Sequence, residues 1–396
     1  MEINMSKTSP INPEWFTDRQ YVAIVLREYL RPIGGYDNPI FPPTFAMRPT
    51  LQRHPYNIDT LRNGENICLI DSIASQANRL EPIFDDFTPR IVRKVTVKVT
   101  SGKNKDVQAR SLLEVGHRVA DAVVRFSDKA DDIAKALKDH DNGNSIDLAK
   151  DFATSLVFGA WNSRDAGEKV PRVFQSTIRA TNVEPLTRAS QYVPPFNYKE
   201  LLDEQDKPLI DPKMKDAKLS KQGLLAVPVV TMPTKEKNKD LAFRVHGGIV
   251  VNGDIRRDAS INLVNLRALR TGDSKDVTPE TLRAYVFGLA LVALLYDQEF
   301  SLRQDCQLVL DSDRADERAK QVEAKKLAFG KHKLALVTRD GKETPLDITY
   351  DTAKGFAEKA AERLKIEQSE LTVNFDPSKM RDAIKATTTD ETDEEK

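Results

Sequence analysis

A short apolar run that empties directly into a capped, two-faced helix constrains this chain more than any other stretch. Residues 67–70 (Ile-Cys-Leu-Ile) read as a buried strand, and DSIASQANRLE (71–81) follows with no linker. Ile73, Ala77 and Leu80 recur at i, i+4 and i+7 and predict one apolar stripe. Ser72, Ser75, Gln76 and Arg79 share the opposite face. Asp71 or Ser72 is placed to cap the helix by accepting a free backbone N–H of its first turn. Such a helix end offers unpaired N–H groups, the positive end of a dipole, and hydroxyl, amide and guanidinium donors, a set that suits a phosphate. The same pattern also describes a capped surface helix whose polar face meets only water.

Around this element the chain alternates between periodic and irregular stretches. Residues 1–16 form a polar N-terminal arm. A helix is expected over about 17–30, with Val22, Leu26 and Tyr29 on one face, ending before the Arg31-Pro32 pair. Residues 31–57 are rich in Pro, Gly and aromatics and read as an irregular loop with Arg48, Arg53 and His54 exposed. From Arg90 to Val99 the alternation predicts a strand, with Arg90, Lys94 and Lys98 on one face. Like charges in such a row repel. An anion nearby would relieve them, and so would solvent on an edge strand guarded by lysines.

A helix near 129–140 with Ile133, Ala136 and Leu137 inward precedes a turn at 141–144. Ser145 then caps a second helix that carries Ala149, Phe152, Ala153 and Leu156. The loop 162–169 is flanked by Arg164, Lys169 and Arg172, and the next element carries Arg179. Residues 184–243 lack a sustained period and form an excursion, in which the aromatic–proline knot at 191–198 is expected to pack onto its own domain. Gly247-Gly248 leads into a strand at 249–251 and allows a close approach of backbone. Thr278-Pro279 opens an almost wholly apolar helix to about Tyr296, which should be buried. A strand at 307–310, a charged helix at 311–328 and a small α/β unit reaching 386 follow. Residues 387–396 hold five acids against one lysine and read as a disordered acidic tail.

Sixty basic residues balance sixty acidic ones, so the total charge does not announce a nucleic-acid binder. The distribution is uneven, however: residues 88–110 hold seven Lys or Arg against Asp106 alone. Only Cys68 and Cys306 are present, both in apolar runs, which predicts buried thiols in a reducing, cytoplasmic setting. The most hydrophobic run, 289–296, is too short to span a bilayer. There is no phosphate-loop, dinucleotide-binding, HExxH or GxSxG motif. The five histidines lie far apart, without metal-ligand spacing, so no metal and no cofactor are expected. His117 and His246 remain candidates for an acid–base pair assembled in space.

Five segments in order carry a family likeness: DSIASQANRLE (71–81), SLLEVGHRVADAVVRFS (111–127), FGAWNSRDAGEKVPRVFQSTIRA (158–180), RVHGGIVVNGD (244–254) and LVALLYDQEFSLRQDCQLVL (291–310). Together they resemble the backbone subunit of the type I-G (formerly I-U) CRISPR effector complex, in the RAMP superfamily. The resemblance covers roughly residues 40–310, and the S-x-x-S-Q-A-N-R-L-E run is its most specific part. It implies an α+β fold, an RRM-like, ferredoxin-type palm over 17–310 with an inserted finger at roughly 85–150 and thumb at roughly 184–243. The small C-terminal unit would span 311–386.

The same resemblance implies a non-catalytic role. Copies would polymerise head-to-tail along the spacer of a CRISPR RNA (crRNA), grip its backbone and leave its bases free to pair with a target DNA strand. Expected partners include the subunit that binds the 5′ handle and 3′ repeat, a large subunit and a recruited helicase-nuclease; no membrane is involved. Related subunits present a Ser-Gln-Ser-x-Lys-Arg helix to RNA phosphates, and Ser75, Gln76, Asn78 and Arg79 stand in that place here, with Ser72 beside them. The RNA-facing candidates are therefore these five residues, Arg48, Arg53, Arg90, Lys94, Lys98, His117, Arg118, Arg164, Lys169, Arg172 and Arg179. The competing reading is a metal-independent endoribonuclease of the same superfamily that trims repeat RNA with His117 or His246.

Overall fold

The computed structural model describes residues 11–45, 55–87, 90–101, 106–163, 167–186, 194–225, 247–324 and 333–394. Its strands are β1 (Tyr21–Pro32), β2 (Ile58–Thr60), β3 (Asn66–Asp71), β4 (Val95–Ser101), β5 (Asp106–Ser111), β6 (Ala160–Trp161), β7 (Lys169–Val170), β8 (Phe174–Thr181), β9 (Val183–Pro185), β10 (Ile249–Val251), β11 (Ile255–Asn262), β12 (Phe300–Arg303), β13 (Cys306–Leu310), β14 (Leu334–Thr338), β15 (Glu343–Pro345) and β16 (Leu371–Asn374). Its helices are α1 (Glu14–Thr17), α2 (Ile73–Leu80), α3 (Ala122–Arg125), α4 (Ala130–Asp141), α5 (Ile146–Asp151), α6 (Ala153–Phe158), α7 (Asp216–Lys221), α8 (Leu263–Ala268), α9 (Pro279–Leu295), α10 (Ser312–Ala324), α11 (Tyr350–Leu364) and α12 (Pro377–Glu394).

A nine-stranded sheet forms the body, with the path β12-β13-β1-β11-β8-β3-β2 and with β14 and β15 added beside β1. Its heart, β13-β1-β11-β8, is antiparallel throughout. Numbered in chain order these four strands lie 4-1-3-2, the order of a ferredoxin-type, RRM-like palm. The class expected from the sequence, α+β, is the class observed. β8 and β11 alternate buried and accessible positions along their whole length, as a sheet with one packed face requires. The packed face carries Ile24 and Leu26 from β1, Phe174 and Ile178 from β8, and Ala259 and Ile261 from β11.

α9 lies against that face and is buried almost all round, as its apolar composition predicts. Thr278 caps it, accepting the Thr281 N–H at 3.2 Å, and Pro279 sits in its first turn, where no hydrogen-bond donor is needed. Phe287 meets Phe16 at a tilt, with ring centroids 5.2 Å apart, and Phe356 of α11 edge-on at 6.0 Å. Gly288 lets the two helices close: a Cβ there would stand 2.9 Å from the backbone of Ala357.

Several expectations do not hold. Residues 21–32 are a strand, not the helix expected over 17–30. Ile24, Leu26 and Leu30 satisfy a period of two as well as a period of 3.6, and Tyr, Val and Ile favour the pleated conformation. Pairing decides it, because β1 has β11 on one edge and both β13 and β14 on the other. β4 begins only at Val95 and is the central strand of a β16-β4-β5 sheet, neither an edge nor a strand that includes Arg90. The segment 311–386 adds β14 to the main sheet, β16 to β4 and α11 to the principal core. Residues 387–394 continue α12 instead of forming a disordered tail, since extending an existing helix fixes one residue per added hydrogen bond. Within the knot at 191–198, Phe196 is 66% exposed and touches Tyr198 edge-on, so it does not pack as expected. Gly248 behaves as read: at φ +87° it brings its backbone against Ile40, where a Cβ would sit 2.7 Å from the carbonyl oxygen. Cys68 and Cys306 are both buried and free.

Gly288→Ala is expected to destabilise the protein by about 1–3 kcal/mol through overpacking against α11, although Ala gains up to about 1 kcal/mol over Gly in helix propensity. Urea unfolding checks this, and a stabilised variant would refute the close approach of α9 and α11.

Candidate nucleic-acid interface

β3 does feed α2 as the sequence predicts, and Ser72 caps the helix by accepting the Ser75 N–H at 3.1 Å. What the polar face of α2 meets is neither water nor an open cradle. Asp71, the last residue of β3, is fully buried, and its carboxylate takes four donors. Oδ1 accepts from the Ser75 hydroxyl at 2.8 Å and from Arg303 Nη2 at 2.9 Å. Oδ2 accepts from Gln76 Nε2 at 2.8 Å and from Arg79 Nε at 3.1 Å. Arg79 also donates through Nη2 to the Leu302 carbonyl. The residues expected to hold a phosphate thus hold the chain's own carboxylate.

The network runs on across the packed face. The Ser176 hydroxyl donates to Gln76 Oε1 at 2.8 Å and accepts from Arg257 Nε at 3.1 Å. Arg257, 1% exposed, is neutralised by Glu28 at 2.8 Å, which Lys333 approaches at 3.3 Å. Burial pushes the Arg257 pKa down, with Glu28 pulling it back. These polar groups lie between two apolar clusters, one built on α9 and one on Leu30, Ile70, Ile178, Ile255 and Leu308.

The other sequence candidates separate into distinct settings. Gln76 and Arg118 are buried, which corrects their expected RNA-facing position: both sit inside networks of the chain itself. Arg118 holds Glu81 at 2.6 Å, donates to the Gly159 carbonyl at 3.1 Å and lies over the Phe158 ring at 5.3 Å. Burial pushes the Glu81 carboxyl up to about 7, while Arg118 and the Thr154 hydroxyl pull it down. Ser72 and Ser75 are half-buried at the helix start, and Asn78 and His117 are exposed. Lys94, just ahead of β4, stands 3.6 Å from Glu370, just ahead of β16. Arg90 is exposed ahead of the strand, and Lys98 is half-buried on it. Lys169 lies over the exposed Trp161 ring at 4.9 Å, and exposed Arg172 donates to the Phe158 carbonyl at 3.1 Å. Arg48, Arg53, Arg164 and His246 lie outside the described residues.

Only Arg179 opens onto a surface the sequence did not assemble. It stands directly opposite Arg256, which stands directly opposite Tyr29, so one row crosses β8, β11 and β1 on the unpacked face of the sheet. Like charges directly opposite on neighbouring strands destabilise each other. One carboxylate serves both: Asp258 is 2.9 Å from Arg256 Nε and 3.9 Å from Arg179 Nη2. Burial works against the Arg256 charge, but Asp258 and the Tyr29 hydroxyl outweigh it and its pKa is raised. Arg179 stays 50% exposed and Arg256 43%. The row therefore offers two guanidinium groups, one net positive charge and a tyrosine ring to a ligand. Arg256 and Tyr29 were missed because the strand containing Tyr29 was read as a helix, and register, which sequence does not give, sets Arg256 beside Arg179. Among the described residues no group of three or more His, Cys, Asp or Glu could hold a metal ion. No described helix is long and apolar enough to cross a membrane.

Residues 24–185, from β1 through β9, match the family model described as CRISPR-associated protein GSU0053. Over that stretch the chain is similar to a CRISPR-associated protein family, which supports a CRISPR-associated role. No curated protein matches the chain.

Two outcomes follow from the buried charges. Asp71→Ala leaves Arg79 and Arg303 facing each other without a counter-charge. Removing one partner of a buried pair costs about 3–5 kcal/mol; both arginines keep some solvent contact, so the low end is expected in denaturant unfolding. Glu81 titrates near 7 when folded against an ordinary 4.5, so the folded state binds the extra proton between those values. Its contribution is complete below about 4.5 and lost as pH rises to about 7. Unfolding free energies of the wild type and Glu81→Gln should diverge in that direction across this window. A constant difference would refute the assignment.

Proposed function

We propose that this chain is a non-catalytic backbone subunit of a CRISPR ribonucleoprotein surveillance complex of the type I-G kind, holding the crRNA by its backbone. The observation that carries the reading is the solvent-facing Tyr29–Arg256–Arg179 row on a ferredoxin-type palm, with Tyr29 and Arg179 inside the stretch that carries the CRISPR-associated match and Arg256 outside it. Guanidinium groups form bidentate bonds to phosphate, and two of them sharing one carboxylate favour an added anion. Contacts of this type fix position along a strand without reading its sequence. Single-stranded RNA suits an open sheet face, where an aromatic ring such as Tyr29 can lie under a base or ribose.

In the assembled particle, copies of the chain stack head-to-tail along the spacer, with target DNA pairing to the presented bases and the remaining effector subunits at the two ends. Self-assembly of this kind uses two different surfaces of one chain. Segregated charge of both signs suits such an interface. Exposed Asn78 and the half-buried Ser72 and Ser75 at the start of α2 add contacts beside the row, whereas Arg79 acts through Asp71, orienting the helix.

The test is binding of unrelated single-stranded RNAs by fluorescence anisotropy over a range of salt. Arg179→Ala should weaken all of them about equally and lower the slope of log K against log salt by about 0.7, the value for one lost phosphate contact on a single strand. Loss confined to one sequence, or no loss, would count against the reading. Cleavage of repeat RNA by the wild type that disappears in His117→Ala would replace it with the endoribonuclease reading.

A further inference from the structure

A second group of arginines gathers at the opposite end of β1. Arg267, on α8, donates through Nη2 to the Tyr21 carbonyl at 2.7 Å, which ties it to the first residue of the strand and so to Arg19 just before it. Arg283, in the second turn of α9, donates through Nε and Nη2 to the Leu269 carbonyl, both at 3.2 Å, beside Arg270. Arg339 comes to the same place, since its backbone N–H donates to the Gln20 carbonyl at 2.7 Å. Arg19, Arg270 and Arg339 are exposed; Arg267 and Arg283 are half-buried.

Five guanidinium groups here face two acids, Asp18 and Glu280, which act on Arg267 and Arg283 from a distance and pair with none of the five. None of these five arginines forms an ion pair among the described residues. Asp18, the nearest acid in sequence, is turned to Gln20, accepting from its backbone N–H at 2.8 Å and its side-chain amide at 3.0 Å. The two half-buried guanidinium groups spend hydrogen bonds on carbonyl oxygens, which brace them without cancelling their charge. Arg267 Nη1 is buried and has no partner. Burial pushes both pKa values down; Arg283 and Arg19 add to the effect on Arg267 against Asp18, and Arg270 adds to that on Arg283 against Glu280, and both stay lowered. Several half-buried arginines elsewhere are paired: Arg27 with Glu343, Arg93 with Asp151, Arg314 with Asp254. A fold that holds more positive charge together than its nearby acids offset is lower in free energy when an anion arrives.

We infer that the arginines around the start of β1, with Arg19 and Arg270 outermost, form a second phosphate-backbone site for nucleic acid. It rests on the proposed RNA-binding role but is separate from the sheet-face row. Tyr21 and Tyr29 are eight residues apart on one strand, so the two sites lie about 27 Å apart at roughly 3.4 Å per residue. They can be filled together, by distant phosphates of one strand or by two different strands. Phosphodiester is the shared chemistry, and guanidinium groups fixed by carbonyl contacts are suited to it because little side-chain freedom is lost on binding. An acidic protein surface is the weaker fit, since a phosphate with several acceptor oxygens satisfies more guanidinium donors than a single carboxylate does.

The experiment compares the full-length chain with the double variant Arg19→Gln/Arg270→Gln. These two side chains are exposed and brace nothing, so the fold should be preserved, as circular dichroism and thermal melting will verify. Salt-dependent anisotropy is measured with single-stranded RNA and, separately, with duplex DNA. The expected result is a slope smaller by about 0.7 for each lost contact on a single strand, or about 0.9 each on a duplex. The ligand whose slope falls identifies the source. An unchanged slope with both ligands overturns the inference, whether the variant alters self-association or inorganic phosphate alone raises the melting temperature. Absence of RNA binding by the wild type would instead overturn the proposed function. Binding that survives with an unchanged slope in the double variant, while Arg179→Ala reduces it, would remove only the second site.

Discussion

The Asp71 carboxylate is the constraint on which the arrangement of the palm depends. A carboxylate with no solvent contact is tolerated only when its lone pairs are filled and its charge is met. Here two hydrogen bonds come from α2, one guanidinium from α2 and one from the β12–β13 hairpin. The Thr177 hydroxyl on β8 donates to the backbone carbonyl of the same residue at 3.1 Å. Three pieces of chain far apart in sequence must therefore meet at one register. Apolar packing alone would let α2 slide along β8 at small cost; four directional bonds to one buried group do not.

That choice divides the sheet into two chemistries. On the packed face each charge has an opposite partner: Arg257 with Glu28, Arg79 and Arg303 with Asp71, Arg118 with Glu81. On the other face and at the start of β1, arginines outnumber the acids that touch them. A chain with sixty charges of each sign can thus bind a polyanion, because the neutralising acids are used inside or on other surfaces. The cleft of about 490 Å³ lined by Asn38, Arg303, Gln304 and Gln307 belongs to the first category, since the guanidinium at its wall is already engaged by Asp71.

Local signals in the sequence were sound where one element settles its own structure. The strand into a capped helix at 66–80, the inward faces of α4 and α9, and the Thr278-Pro279 start all depend on neighbours within a few residues. Readings failed where distant pairing decides. Val22, Leu26 and Tyr29 make a plausible helical stripe until β11, β13 and β14 claim both edges of the segment. Lys94 and Lys98 look like an edge strand's guards until β16 arrives from residue 371 onward. The polar face of α2 was read correctly for its donors, but not for its acceptor. Asp71 adjoins the helix in sequence and was taken only as a cap; its burial follows from the fold of residues 300–310 over it.

In the proposed role, neutrality would also set how the protein meets RNA. With no net charge there is little long-range attraction to speed encounter, and exposed charges act only within a Debye length of about 8–10 Å at physiological salt. A strand has to be delivered close to the surface before the paired arginines on β8 and β11 contribute. The two proposed cationic sites would ease that requirement, because a phosphate held at one would raise the local concentration of the strand at the other. If copies assemble along the strand as proposed, repetition would multiply the effect, and the affinity of the assembled particle would depend more on the spacing of weak sites than on the strength of any one.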